Sequence, residues 1–435
     1  MNHDLTGLAG PETTADDAVA AVRSWVAANV PGSWREAGER GGPAEVRKVR
    51  TREEYREWYP VYGRSGLAAA GWEVGYGGLA WSRETAGTVE RFLRPYHLPR
   101  LNPLGLNLAA PALFAHGTHE QRLRFLPPIV AAEELWCQLF SEPGSGSDLA
   151  SLSTRAAKNA DGDWVIDGSK IWTTWADQAS FAVLLARTDP DLPKHQGITY
   201  FLIDMRQPGV TIRPLPHMGG ETEFFQTFLD GAVVPDFQRV GDRGTGWKVA
   251  QATLSGERQM VSGAGSGGVD RIGGASTRRL VRLARQRSEA GHDGGWDDVR
   301  TRDRLVRLYC EERVRAWTNQ RIRSRLAAGR APGPESSIGK VHAAELNQRV
   351  QEAAADLLGG DGLAWAAGPD GDTDSMAAYA ASMPAEVAGM LRSRANTIEG
   401  GTSEVNRNVL AERVLGLPKD PDPWKGKPWK DLPRS

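Results

Sequence analysis

From residue 136 to 245 the chain reads as a succession of short strands with no helix-length segment between them. That stretch constrains the fold more than any other feature. "DWVIDGSKIWTT" sets Asp167–Gly168 between β-rich runs, a dipeptide that favours a tight hairpin turn. "FAVLLART", "GITYFLIDM" and "GVTIRPL" follow, rich in β-branched or aromatic residues and closed by Asp, Pro or Gly. Parallel neighbours need long crossovers, usually helical. Without helical crossovers the expected sheet is antiparallel, and the doubly wound α/β class is excluded.

The flanks read as helices. In "DDAVAAVRSWVAANV", Val19, Val22 and Val26 share a face, and Asp16 and Asp17 suit the positive N-terminal end. "THEQRLRFLPPIVAAEE" has the same style, with Pro127–Pro128 expected to break it. After 246 come "TRDRLVRLYCEERVRAWTNQRIRSRLAAG", stopped at Gly329, "SSIGKVHAAELNQRVQEAAADLLGG", stopped at Gly359–Gly360, and "TSEVNRNVLAERVLGL". Long antiparallel helices of this kind pack as a bundle. The expected fold is therefore a multidomain α+β chain. It has an N-terminal helical domain (1–135), a central antiparallel β domain (136–245) and a C-terminal four-helix bundle (246–418). The Pro/Trp-rich tail 419–435 is either disordered or laid over a neighbour, anchored by its tryptophans.

At 435 residues the chain suits two or three domains. A net charge of −1 offers no global field for nucleic acid or an anionic membrane, so anionic ligands must be held by local groups. Cys137 and Cys310 are the only cysteines and form no CxxC, which argues against disulfide, zinc–cysteine and iron–sulfur scaffolds. His116 and His119 in "AHGTHEQ" read as solvated residues of a helix start, so no metal site is expected. No signal-like segment or membrane-length apolar run is found, and the expectation is a soluble, cytoplasmic protein.

Four motifs bear on chemistry. "GAGSGG" (263–268) matches G-x-G-x-x-G literally but lacks the preceding strand and the βαβ unit of a dinucleotide site. Its small residues better suit a helix that something large passes closely. "QLFSEPGSGSD" (138–148) joins Gly144 and Gly146 to the hydroxyls of Ser141, Ser145 and Ser147, without the GK[ST] of a nucleotide hydrolase. It is either a ligand loop or a serine-rich surface loop. "KIWTTW" offers Trp172, Thr173 and Thr174 at a strand edge, a flat aromatic beside hydroxyls that suits a planar heteroaromatic cofactor or, equally, a core tryptophan. "NTIEGGTSEV" (396–405) cradles an anion on backbone N–H groups or simply caps the next helix through Thr402 or Ser403.

Taken together, "LFSEPGSGSDLASLSTRA", "GSKIWTTWADQASFAVLLART", "LLGGDGL" and "IEGGTSEVNRNVLAERVLGLP" resemble the acyl-CoA dehydrogenase family in order and spacing, over roughly 20–418. The resemblance implies a helical–β–bundle fold and non-covalent FAD between the β domain and the bundle. Gln138, Leu139, Phe140, Ser141, Gly146 and Ser147 would hold the flavin ring and ribityl chain. Trp172, Thr173 and Thr174 would border the ring, and Gly359 and Gly360 would meet the adenine half. Thr402, Ser403 and Glu404 would lie near the pyrophosphate. Ser147, Ser255, Arg258 and Gly400 would face the acyl-CoA.

The family's reaction takes a proton from Cα of a thioester while a hydride leaves Cβ for the flavin. Many members place the carboxylate base immediately before the Gly-Thr of the last motif. Here that position is Gly400, and Glu399 is one residue early, a shift worth about 100° on a helix. A branch that includes isovaleryl-CoA dehydrogenase carries a glutamate just before an arginine at the start of the first bundle helix. "TLSGERQMV" has that pair in Glu257–Arg258, so Glu257 is the expected base. The plain alternative makes Ser255 a helix cap and Glu257 a favourable first-turn charge.

Many members also have an Arg-x-Phe-Gly stretch that reaches FAD in a neighbouring subunit. "ARQRSEAGHDGGWDDVRTRD" lacks it, leaving Arg285 or Arg287 as a substitute, or an unlike neighbouring chain. The resemblance thus implies an acyl-CoA dehydrogenase acting on acyl-CoA or an acyl-carrier thioester. Electron-transfer flavoprotein would be the acceptor, and the assembly a homo- or hetero-oligomer (dimer or tetramer). Gly263–Gly268 suggest a branched, cyclic or bulky acyl group. Two rivals are a non-catalytic partner subunit and a flavin oxidase or monooxygenase on the same fold.

Overall fold

The computed structural model describes residues 5–262, 277–328, 330, 333, 336–363 and 382–433. Eight strands make one sheet: β1 (Trp136–Leu139), β2 (Arg155–Lys158), β3 (Trp164–Thr174), β4 (Phe181–Arg187), β5 (Ile198–Asp204), β6 (Val210–Leu215), β7 (Phe224–Val234) and β8 (Arg239–Val240). Their order is β6-β7-β3-β2-β4-β5-β8, with β1 also on β4. The β2–β3, β4–β5 and β5–β8 pairs are antiparallel. The β1–β4 pair is parallel, Trp136 opposite Phe181 and Leu139 opposite Leu184. The β2–β3 hairpin and the loop before it form that crossover, so no helix is needed. Every residue of β4 is buried, as its unbroken apolar run requires of a strand covered on both faces.

The chain divides into two compact units. One holds 1–140, 153–211 and 227–253; the other holds 141–152, 212–226 and 254–435. In the first, the Ala15–Asn29 helix is capped by Thr14, whose hydroxyl accepts from the Asp17 N–H at 3.2 Å. Thr51 and Glu54 make a reciprocal capping box for the Arg52–Arg64 helix. Trp25, Trp34, Tyr55, Trp58, Tyr59 and Tyr62 pack as one aromatic cluster. The expected break at Pro127–Pro128 does not occur, since the His119–Val130 helix runs through both. They fall in its last turn, where their carbonyls accept from Ala131 and Glu133 at 3.0 Å each. Among the described residues no helix is long and apolar enough to cross a membrane.

In the second unit the Thr277–Glu289, Val299–Ala327 and Ser336–Leu358 helices share a core of Leu280, Ala284, Leu305, Leu308, Leu346 and Val350 with their neighbours. The shorter Ala385–Ser393 and Ser403–Arg413 helices follow. The Gly246–Ser262 helix runs straight through Ser255 and Glu257. Both are therefore interior helix residues, and Ser255 is not a cap. The Arg258 side chain, Gly329 and the 263–268 stretch lie outside the described residues.

Candidate active site

In the sheet unit, β3 alternates from Trp164 through Ile166 to Lys170, all buried. The next inward position is Trp172. Its φ of +62°, an outlier for a bulky side chain, flips the alternation. The indole is 54 % exposed, and Thr173 turns inward instead, fully buried. The Thr173 hydroxyl has no hydrogen-bond partner among the described residues. Trp175 is also left-handed, at φ +54°. Two such outliers in four residues mark a segment whose strain is maintained by its surroundings, as at ligand sites. Thr174 is half-buried.

Lys170 anchors this strand edge to the other half of the first motif. Fully buried, it donates through Nζ to the Phe140 carbonyl at 3.0 Å, just after the Gln138–Leu139 end of β1. Lys170 lies outside the residues that the motifs single out. The signal was a cation in the buried phase of a strand.

In the bundle unit, the loop Ser141–Leu152 is closed at its base. Glu142 and Ser145 exchange backbone hydrogen bonds at 2.9 and 3.0 Å, and Ser145 Oγ donates to the Asp148 carbonyl at 2.7 Å. Gly146, Ser147 and Asp148 stay exposed at its apex.

The turn 396–402 is held from several sides. Asn396 donates through Nδ2 to Glu399 Oε1 at 2.7 Å, and Arg392 Nη2 donates to Glu399 Oε2 at 3.1 Å. Lys340 is buried and donates to the Asn396 carbonyl at 2.8 Å, while Asn347 Nδ2 donates to Asn396 Oδ1 at 2.8 Å. Gly400 and Gly401 then take φ of +64° and +85°, a pair of left-handed residues that favours glycine. Thr402 caps the following helix by accepting from the Val405 N–H at 3.0 Å. Ser403 is 1 % exposed, and its buried hydroxyl has no hydrogen-bond partner among the described residues. Glu404 is largely exposed, 3.6 Å from Arg407.

Glu257 is half-buried on its helix. Its charge acts on Lys340, as do those of Glu399, Glu404 and Glu345. Burial pushes the Lys340 ammonium below its ordinary pKa, and the four carboxylates pull it back up. Lys340, Asn347 and Gln351 recur at helical spacing on the inner side of the Ser336–Leu358 helix, a polar stripe readable in the sequence but missed.

Each arginine suggested for a neighbouring site meets a group of its own chain, although Arg285 is exposed. Arg287 donates to the Leu357 and Asp293 carbonyls at 3.2 and 2.5 Å, and its guanidinium lies so close to Gly359 that a Cβ there would sit 2.6 Å from Nη2. Arg285 lies over the Trp296 ring at 5.2 Å. His119 meets the Tyr76 hydroxyl through Nδ1 at 3.0 Å.

Three family models match the chain in order: "Acyl-CoA dehydrogenase, N-terminal domain" over 17–133, the middle domain over 137–228, and the C-terminal domain over 244–415. The chain belongs to the acyl-CoA dehydrogenase family. Acyl-CoA dehydrogenase IpdE1 of Mycobacterium tuberculosis is 37 % identical over 410 residues, covering 92 % of this chain and 97 % of its own length. A solved "Tcur3481-Tcur3483 steroid ACAD" superimposes with a TM-score of 0.66 at 27 % identity, covering 93 % of this chain and 98 % of that one. The ChsE4-ChsE5 complex from Mycobacterium tuberculosis gives a TM-score of 0.64 at 26 % identity, with the same coverage. This acyl-CoA dehydrogenase is accordingly an oxidoreductase acting on CH–CH groups.

Proposed function

We propose that this acyl-CoA dehydrogenase is FAD-dependent and forms a trans-2-enoyl thioester with Glu257 as the α-proton base. One observation carries the base assignment. Both carboxylate oxygens of Glu399 are engaged, by Arg392 and Asn396, and Gly400 has no side chain to offer. Glu257 is the remaining carboxylate of the two that the sequence singled out. Half-buried on a helix, it suits a base that must work where water is scarce.

The residues present fit the cofactor. Thr173 and Ser403 each carry a buried hydroxyl without a partner among the described residues, the state expected where a polar ligand completes the hydrogen bonding. Ser403 also begins an eleven-residue helix whose N-terminal N–H groups favour an anion such as a pyrophosphate. Within the sheet unit 138–140 and 172–174, and within the bundle unit 141–147, Gly359–Gly360 and 402–404, are the residues that the family resemblance assigns to FAD. FAD, when bound, supplies the hydride acceptor. Glu257 takes the proton from Cα. Ser147, Ser255 and Gly400 are the described residues that the resemblance sets facing the thioester; the Arg258 side chain, also named for that role, lies outside the described residues.

A bulky, ring-bearing acyl group on CoA or an acyl carrier is the proposed substrate, supported by the likeness to a steroid acyl-CoA dehydrogenase. Electron-transfer flavoprotein is the proposed acceptor. A mixed oligomer is supported by the two-chain names of two similar structures and by Arg285 and Arg287 being engaged within their own chain. The same observations favour a second reading, a partner subunit without its own flavin. The visible spectrum of the purified chain, titrated with straight-chain and ring-bearing acyl-CoAs, decides. Flavin bleached by ring-bearing thioesters supports the first reading. A colourless protein supports the second, and bleaching only by short straight chains removes the substrate proposal.

A further inference from the structure

We infer that the C-terminal segment 419–433 is a clasp on the Ser141–Leu152 loop and that Trp429 is its positioning residue. The ligand consequence rests on the assignment of Ser147 to the thioester. The clasp itself rests on geometry. Trp429 opens the short Trp429–Asp431 turn, is half-buried, and donates its indole N–H to the Ser151 carbonyl at 3.2 Å. An indole nitrogen can only donate, so the direction of this bond is fixed. Ser151 in turn bonds Asp148 twice, N–H to carbonyl at 3.0 Å and Oγ to Oδ2 at 2.5 Å. The Asp148 carbonyl also accepts from Ser145 Oγ at 2.7 Å. An unbroken chain of hydrogen bonds thus runs from Trp429 to the residue beside Gly146 and Ser147.

The tail is stiff enough to act as a clasp. Pro421, Pro423, Pro428 and Pro433 restrict its unfolded states, so ordering it costs less than ordering a flexible segment. Local bonds shape the rest: Trp424 N–H to Asp422 Oδ1 at 3.0 Å, and Lys427 N–H to the Trp424 carbonyl at 3.1 Å. Lys427 also lies over the Trp424 ring at 4.5 Å. A pinned loop apex meets its ligand already ordered, which removes part of the cost of binding.

The test compares the full-length holoprotein with Trp429→Phe, which keeps a ring but loses the donor, with a chain ended at Pro418, and with Trp424→Phe as control. Hydrogen exchange of the 144–151 amides is the primary readout and needs no ligand. Exchange should quicken about fivefold in Trp429→Phe, the size of one neutral hydrogen bond. It should quicken more in the truncation and stay unchanged in the control, with the melting temperature of Trp429→Phe unaltered. Affinity for coenzyme A, read by calorimetry, should fall by the same factor. Unchanged loop exchange in Trp429→Phe overturns the clasp, and so does an increase spread over the whole bundle. If coenzyme A binds none of the proteins, the ligand reading fails while the exchange result still decides the clasp.

Discussion

Arg392 joins two carboxylates: its Nη2 donates to Glu399 at 3.1 Å and its Nε to Glu223 at 2.5 Å. Burial pulls the guanidinium pKa down, but the attraction of Glu399 and Glu223 and their hydrogen bonds more than offset it, so the charge is held more firmly than usual. The Phe224 ring lies 5.3 Å from the same guanidinium. Glu399 is thereby a counter-ion within the turn.

The two glutamates should separate cleanly on substitution. Glu257→Gln is expected to abolish flavin reduction by acyl-CoA with FAD still bound. Glu399→Gln should keep turnover within a few-fold and instead lower stability by about 1–2 kcal/mol, since it weakens a charge-assisted hydrogen bond. Stopped-flow bleaching of the flavin and urea unfolding measure the two effects. Loss of bleaching in Glu399→Gln with Glu257→Gln active would sink the assignment.

Gly400 is left-handed at φ +64°, so Gly400→Ala places a Cβ where L-residues pay about 1–2 kcal/mol. A lowered melting temperature with FAD retained is the expected outcome. An unchanged melting temperature would show that the turn tolerates a side chain and that its conformation is not demanding.

Lys170→Met should leave the buried Phe140 carbonyl without its ammonium donor, at a cost of about 2 kcal/mol. The change sits at the junction of the "QLF" and "KIWTT" segments assigned to the flavin. Purified Lys170→Met is therefore expected to carry less FAD, read from its visible to ultraviolet absorbance ratio, and to unfold at lower urea.

Asp236 gives the acid limb of stability. A hydrogen bond from Arg239 leads in lowering its pKa from 3.8 to about 2, against an opposing effect of burial, with the Trp164 indole and the charges of Arg239 and Lys158 adding to it. A carboxyl depressed on folding stabilises fully above its ordinary pKa. That contribution is lost as pH falls from about 4 to about 2. The carboxylate is partly exposed, so solvent screening keeps the effect small. Melting temperatures of Asp236→Asn should fall less steeply over that window than those of the parent; parallel curves would refute the linkage.

Much of this was legible in the sequence, for identifiable reasons. Strand texture located the sheet, but the turn expected at Asp167–Gly168 is not there: both residues lie within β3, Asp167 opposite Arg155, and the β2–β3 turn is closed between Asn159 and Asp163 instead. The parallel β1–β4 pair overturns the wholly antiparallel expectation, because a hairpin serves as the crossover that usually takes a helix. The flip at Trp172 was not legible: no local preference puts a tryptophan at φ +62°, so only the surrounding structure can impose it. Helix continuity through Pro127 and Pro128 escaped for a related reason. Each proline gives up one N–H···O bond of the helix, but the Pro127 and Pro128 carbonyls still accept from Ala131 and Glu133, so the chain ends its helix only at Val130. The spacing of Lys340, Asn347 and Gln351 was legible, but Lys340 and Asn347 meet their partner Asn396, and Arg392 meets Glu399, only after folding.

Lys170 and Lys340 have a further consequence for anyone handling the protein. Their amines are 0 % and 1 % exposed, so an acylating reagent in solution meets neither while the chain stays closed. Each reacts only when its own surroundings open. One amine belongs to the sheet-bearing unit and the other to the bundle-bearing unit. The chain therefore carries two built-in clocks. Mass spectrometry of two peptides would time the opening of each unit separately, without any added label site.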